Sequence, residues 1–183
     1  MRDTKQEIIH FWFQETEPSQ WFQKNEGFDE SIRTRFRVTY NMARDGLCDG
    51  WKEDAAGCLA LCIVLDQFPR NMFRGEPESF ATDGQALLVT KYAVSRGFDQ
   101  ILPALQRRFL YLPYEHSEVM EDQKKSVAFF EALKNEDPMG YDYALRHYDV
   151  IAQFGRFPHR NIILGRKNTP EEEEYLAKPG AGF

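Results

Sequence analysis

Two turns in this chain of 183 residues gather side chains suited to binding anions. The longer, Phe-Gly-Arg-Phe-Pro-His-Arg-Asn at 154–161, packs Arg156, His159, Arg160 and Asn161 around one proline. The shorter, Asp-Gln-Phe-Pro-Arg-Asn at 66–71, brings Asp66, Arg70 and Asn71, with Arg74 just beyond. A guanidinium fork matches a phosphate or a carboxylate, so the turns read as a clamp for a small anionic molecule. The same arginines could instead latch onto Asp66, Glu115, Glu118 and Asp149 and tie helix ends together. So many cations close in sequence, in a protein of net charge −6, favour the clamp. The expectation is that Arg70 and Arg160 converge on one pocket with Asp66, Glu118 and His159.

Three residues are candidates for catalysis: His116, His147 and Glu118. His147 falls on an apolar arc beside Ile151 and Phe154 and points inward, where a lone histidine is more often a hydrogen-bonded core residue. Gln123 lies among Val119, Val127 and Phe130, and a buried amide must find partners. A metal centre would have to use Glu115, His116, Glu118, His147 and His159. Glu115 and His116 are adjacent, and His147 and Asp149 are two apart, neither being the i, i+3 or i, i+4 spacing that co-locates ligands on one helix. Glu7 and His10 have the Glu-x-x-His spacing of carboxylate-bridged bundles, but the second copy such bundles need is missing. No metal and no cofactor are expected. Ser117 stands beside His116 without a Gly-x-Ser-x-Gly elbow, and phosphate-cradling glycine loops are absent.

The elements that must position these residues read as helices. The spacing predicts a first helix over 5–13, a second from about Asp29 to before Gly46, and a third over 51–68. This third segment carries no polar side chain from Ala55 to Leu65, so it belongs in the middle of a domain. Asp66 in its last turn faces the negative end of the helix dipole and needs a cation, for which Arg70 is the obvious choice. Pro69 is expected to stop it. Thr82 and Asp83 open a helix to Ser95, and another covers 101–110. Ser117 is read as the cap of a helix reaching Leu133. Asp137-Pro-Met-Gly140 is read as a turn before a helix over 141–154. Thr169-Pro-Glu-Glu172 opens a short closing helix. No segment alternates with period two, so the fold is all-α, with about seven or more helices in one domain over 1–183.

Composition narrows the partners. An apolar share of 42% suits a packed core. The 23 basic residues against 29 acidic ones leave no basic stripe for nucleic acid. No apolar run approaches the ~18 residues of a membrane span, and no signal segment is visible at the start. Cys48, Cys58 and Cys62 read as buried thiols of a reducing compartment, so the cytoplasm is expected.

Leu-Asp-Gln-Phe-Pro-Arg-Asn at 65–71, Phe-Ala-Thr-Asp at 80–83, Glu-His-Ser-Glu at 115–118 and the 154–161 turn resemble a bacterial family of uncharacterised function. That family is grouped with the tetratricopeptide-like helical superfamily, and the resemblance runs from His10 to the C-terminus. It implies stacked antiparallel helix pairs with a concave face, and it implies no activity. Two functions follow as expectations. One is binding of, or catalysis on, a small anion held by Asp66, Arg70, Asn71, Glu115, Glu118, Arg156, His159, Arg160 and Asn161. The other is a helical module for a peptide or protein partner, with the arginines as latches.

Overall fold

The computed structural model describes residues 4–182, the side chain of Thr4 excepted. The described residues form helices and no strand: α1 (Thr4–His10), α2 (Glu26–Arg44), α3 (Ala55–Cys62), α4 (Phe68–Met72), α5 (Asp83–Ser95), α6 (Ala104–Glu115), α7 (Met120–Ala132), α8 (Pro138–Phe154) and α9 (Pro170–Leu176). Short 3-10 and π segments join several of them. None of these helices is long and apolar enough to cross a membrane. The chain divides into two compact units. The first takes the chain up to Arg74 with Glu78–Pro113; the second takes Gly75–Pro77 and the chain from Tyr114 onward.

Aromatic side chains build the first unit. Phe11, Trp12, Phe28, Phe36, Phe68 and Phe109 are buried, and Phe36 stacks on Phe68 at 4.9 Å. The apolar segment 55–65 is buried throughout apart from Ala56. Gly57 is required there, because a Cβ would stand 1.8 Å from the Trp51 carbonyl oxygen. Asp54 caps α3 by accepting from Gly57 N at 2.7 Å.

Pro69 does not stop this helix. Helical geometry continues through a π segment over Ile63–Gln67 into α4, with Pro69 in the first turn of α4. A proline lacks the N–H that residue 65 would otherwise receive. Thr82 replaces it, its Oγ1 donating to the Leu65 carbonyl at 2.5 Å. Thr82 makes no side-chain cap on α5. α6 also outruns expectation, passing through Pro113 to Glu115. Phe109, Leu110, Tyr111, Leu112 and Tyr114 are all buried along it. At ~1.5–3 kcal/mol per large apolar side chain, that burial outweighs the ~3 kcal/mol an interior proline costs.

The second unit is built on α7 packed along α8. Its core holds Val150, Ile151 and Phe157, with Met120, Phe154 and Tyr175 against them. Asp137-Pro-Met-Gly140 is the first turn of α8 and not a separate turn: Asp137 accepts from Gly140 N at 2.9 Å, with Pro138 at the first helical position. α8 ends at Gly155, which takes a φ of 68° and lets its N–H reach the Ile151 carbonyl. Ser117 is not the cap of α7, which begins three residues later at Met120. Its hydroxyl instead accepts from Val119 N at 3.2 Å and donates to Asp122 at 2.9 Å. Thr169 and Glu172 cap α9 reciprocally.

Candidate functional site

Each sequence-predicted residue has a definite environment, and most of the carboxylates and arginines are engaged in pairs. In the first unit Arg70 lies 3.2 Å from the Asp66 carboxylate and grips Asp83 through both terminal nitrogens, at 3.0 and 3.1 Å. It also donates to the Asp66 carbonyl. Asn71 donates to Asp29 at 2.7 Å, and Arg74 holds the same carboxylate with two bonds. In the second unit Arg156 forks onto Glu172 at 2.6 and 2.7 Å. Asn161 is fully buried and donates to Asn168 and Glu172. Glu118 accepts from the Phe157 N–H at 2.7 Å and from Arg166 at 2.8 and 3.0 Å. Fork-to-fork pairs of this kind fix helix ends and turns. An open hollow lined by Gln153, Phe154, Arg156, Thr169, Glu171 and Glu172 is floored by the Arg156–Glu172 pair.

A different set of side chains comes together in the second unit. Glu115, the last residue of α6, and His116 after it meet His147 of α8. One potential ligand atom from each lies within 4.8 Å of the other two. Glu115 is 3% and His147 4% exposed, while His116 is half-buried. The rings of His116 and His147 have centroids 6.1 Å apart. Phe157 stands edge-on to His147 at 5.5 Å and lies 5.6 Å from the His159 ring. The Arg160 guanidinium, in a side chain 7% exposed, sits over the Phe157 ring at 4.6 Å. Phe157 is thus the floor on which His147, His159 and Arg160 are assembled.

Two positioning groups hold this cluster. Gln123 is fully buried on α7, and its Nε2 donates to the Glu115 and Ser117 carbonyls, at 2.7 Å each. That clamps the turn carrying Glu115 and His116. Glu118 does the same for Phe157 through the backbone N–H. Gln123 was legible as a buried amide in want of partners. Arg166, Asp83 and Glu172 were not named from sequence as the partners of Glu118, Arg70 and Arg156. The capping box at Thr169 points to Glu172, but its pairing with Arg156 depends on the tertiary fold.

The electrostatics of His147 follow from this packing. Its Nδ1 faces the Tyr143 carbonyl at 2.8 Å and a Glu115 carboxylate oxygen at 3.2 Å. The carbonyl can only accept, so Nδ1 carries the proton and the lone pair lies on Nε2. Burial lowers the basicity of the ring well below that of a free imidazole, and His116, Arg160 and His159 lower it further. His147 is therefore uncharged at neutral pH. Burial raises the Glu118 carboxyl, but Arg166 and the Phe157 N–H outweigh it and leave Glu118 more acidic than usual.

The fold and this cluster define an all-helical protein with a buried Glu/His/Arg group beside an aromatic floor. The chain matches over residues 8–180 the family model described as "Bacterial protein of unknown function (DUF924)", and it belongs to that family. A solved structure of a protein of unknown function from Agrobacterium tumefaciens is similar to it, at 39% sequence identity and a TM-score of 0.89. The match covers 95% of this chain and 97% of that one. No curated protein matches the chain.

Proposed function

We propose that the second unit binds a small molecule carrying a phosphate or carboxylate. Arg160 and His159 would grip the anionic group, with His116, His147 and Glu115 beside it as the groups able to move a proton. The observation that carries this reading is the gathering of Arg160, His159 and His147 on the Phe157 ring, with His116 beside His147. A guanidinium and imidazole N–H groups gathered at one place can donate together to an anionic group. Glu118, Arg156 and Asn161 act as supports in this reading, because their polar atoms hold Phe157, Glu172 and Asn168. Asp66, Arg70 and Asn71 likewise act within the first unit through Asp83 and Asp29. Three buried free thiols suit the reducing cytoplasm as the place of action.

Thermal melts of wild type and Arg160→Ala across inorganic phosphate and small carboxylates test the reading. The expected result is a ligand-dependent rise in melting temperature for wild type that the variant lacks. A loss of ~3–5 kcal/mol in Arg160→Ala, with no ligand response in wild type, would make Arg160 a latch and remove the proposal.

A second reading, a tetratricopeptide-like module for a peptide, draws on exposed apolar pairs one helical turn apart in the first unit. These are Val38 with Met42 on α2 and Leu88 with Tyr92 on α5. Saturable peptide binding abolished by Val38→Asp and untouched by Arg160→Ala would favour it.

A further inference from the structure

We propose that Glu115, His116 and His147 form a binding site for a divalent transition-metal ion, with His147 ligating through Nε2. The residue types are the first support. Two imidazoles and a carboxylate suit first-row divalent metals and leave a coordination position open. Their placement is the second: one ligand atom from each lies within 4.8 Å of the others. A tetrahedral site with bonds of ~2.0–2.1 Å sets its donors roughly 3.4 Å apart, so closing on an ion takes a side-chain movement of about an ångström. The half-buried His116 can supply that movement. The third support is the orientation of His147. A ligating histidine almost always donates its other N–H to a backbone carbonyl or carboxylate, and the His147 Nδ1 lies 2.8 Å from the Tyr143 carbonyl.

Sequence spacing argued against this site because Glu115 and His116 are adjacent and His147 and Asp149 are two apart. That argument holds for ligands on one helix. Here the ligands come from the end of α6, the residue after it, and the middle of α8. Gln123 fixes the first two by clamping the carbonyls on either side of His116. The nearby Arg160 and His159 give the open position its chemistry. An added cation beside them favours an anion as the remaining ligand, so the metal would share its fourth partner with Arg160. The metal site overlaps the anion site proposed above but does not depend on it.

The test is a titration of the full chain, stripped with chelator, with Co2+ in phosphate-free buffer, followed by visible absorption and calorimetry. One equivalent should bind with a ligand-field spectrum. Affinity should fall more than ~10-fold in His116→Gln and in His147→Gln. His116→Gln alters a half-buried side chain and decides the matter if His147→Gln does not fold by circular dichroism. Arg160→Ala should keep the Co2+ spectrum and lose only the phosphate response. Absence of stoichiometric Co2+ binding in wild type, or binding unchanged in His116→Gln, overturns the metal site. A phosphate-dependent thermal upshift in the stripped wild type would leave the anion reading standing in that event. Co2+ binding without any anion response would do the reverse.

Discussion

Replacing Gln123 with leucine tests whether the candidate site is held from behind. The two side chains have similar volume, so the change removes hydrogen bonds without opening a cavity. Gln123 Nε2 donates at 2.7 Å to the carbonyls of Glu115 and Ser117, the first in a buried and the second in a half-buried place. A buried carbonyl left without a donor costs ~1–3 kcal/mol, and a half-buried one, which water can reach, about 1 kcal/mol. Some is recovered, because the Gln123 Oε1 is itself buried with no hydrogen-bond partner among the described residues. The net expectation is a loss of about 1–3 kcal/mol. For a chain of this size each kcal/mol lowers the melting temperature by ~2–4 °C. Urea unfolding followed by tryptophan fluorescence and by circular dichroism gives the stability. Co2+ or phosphate titration of the folded variant reports the site. Weaker ligand binding is expected beyond the stability loss, since the turn carrying Glu115 and His116 is no longer clamped. A stability change under about 0.5 kcal/mol together with unaltered ligand binding would refute the positioning role.

Three further outcomes follow from the pairs described above. Glu118→Ala frees both Arg166 and the Phe157 N–H; with the two side chains about a quarter exposed, the loss should fall between the surface and buried limits, at ~1–3 kcal/mol by chemical denaturation. Thr82→Val keeps shape but strips the donor from the Leu65 carbonyl, and should cost ~1–3 kcal/mol; a neutral result would mean that the π segment satisfies that carbonyl otherwise. Arg156, with help from the Thr169 N–H, lowers the Glu172 carboxyl from 4.5 to about 2. Because the folded value is the lower one, this contribution is complete above pH ~4.5 and is lost as pH falls toward 2. Glu172→Gln should therefore flatten the acid limb of the stability profile between those values and leave its neutral-to-alkaline shape unchanged.

The all-helical class was legible because apolar residues recur at helical spacing and never alternate. Local chemistry was also legible where a single residue decides it: Gly155 ends α8, Thr169 caps α9, and His147 faces inward. The boundaries set by tertiary contacts were not. Pro69 and Pro113 look like stops, yet one is tolerated through a threonine thirteen residues on and the other through burial of its neighbours. The need of Asp66 for a cation follows from the helix dipole, but Asp83 as the second partner of Arg70 does not. The cluster of Glu115, His116 and His147 was hidden for the same reason. Periodicity describes one helix at a time, and these three side chains are joined only by the packing of the second unit.

The measurement closest to the central claim uses the four histidines as reporters. Ring resonances of His116, His147 and His159 should shift together and saturably as inorganic phosphate is titrated into wild type. His10, paired with Glu15 in the first unit, should stay in place as the internal control. In Arg160→Ala the three should no longer respond. If the three rings stay unmoved at saturating phosphate and across small carboxylates, or move no more than His10 does, the second unit holds no anion site and the account is wrong.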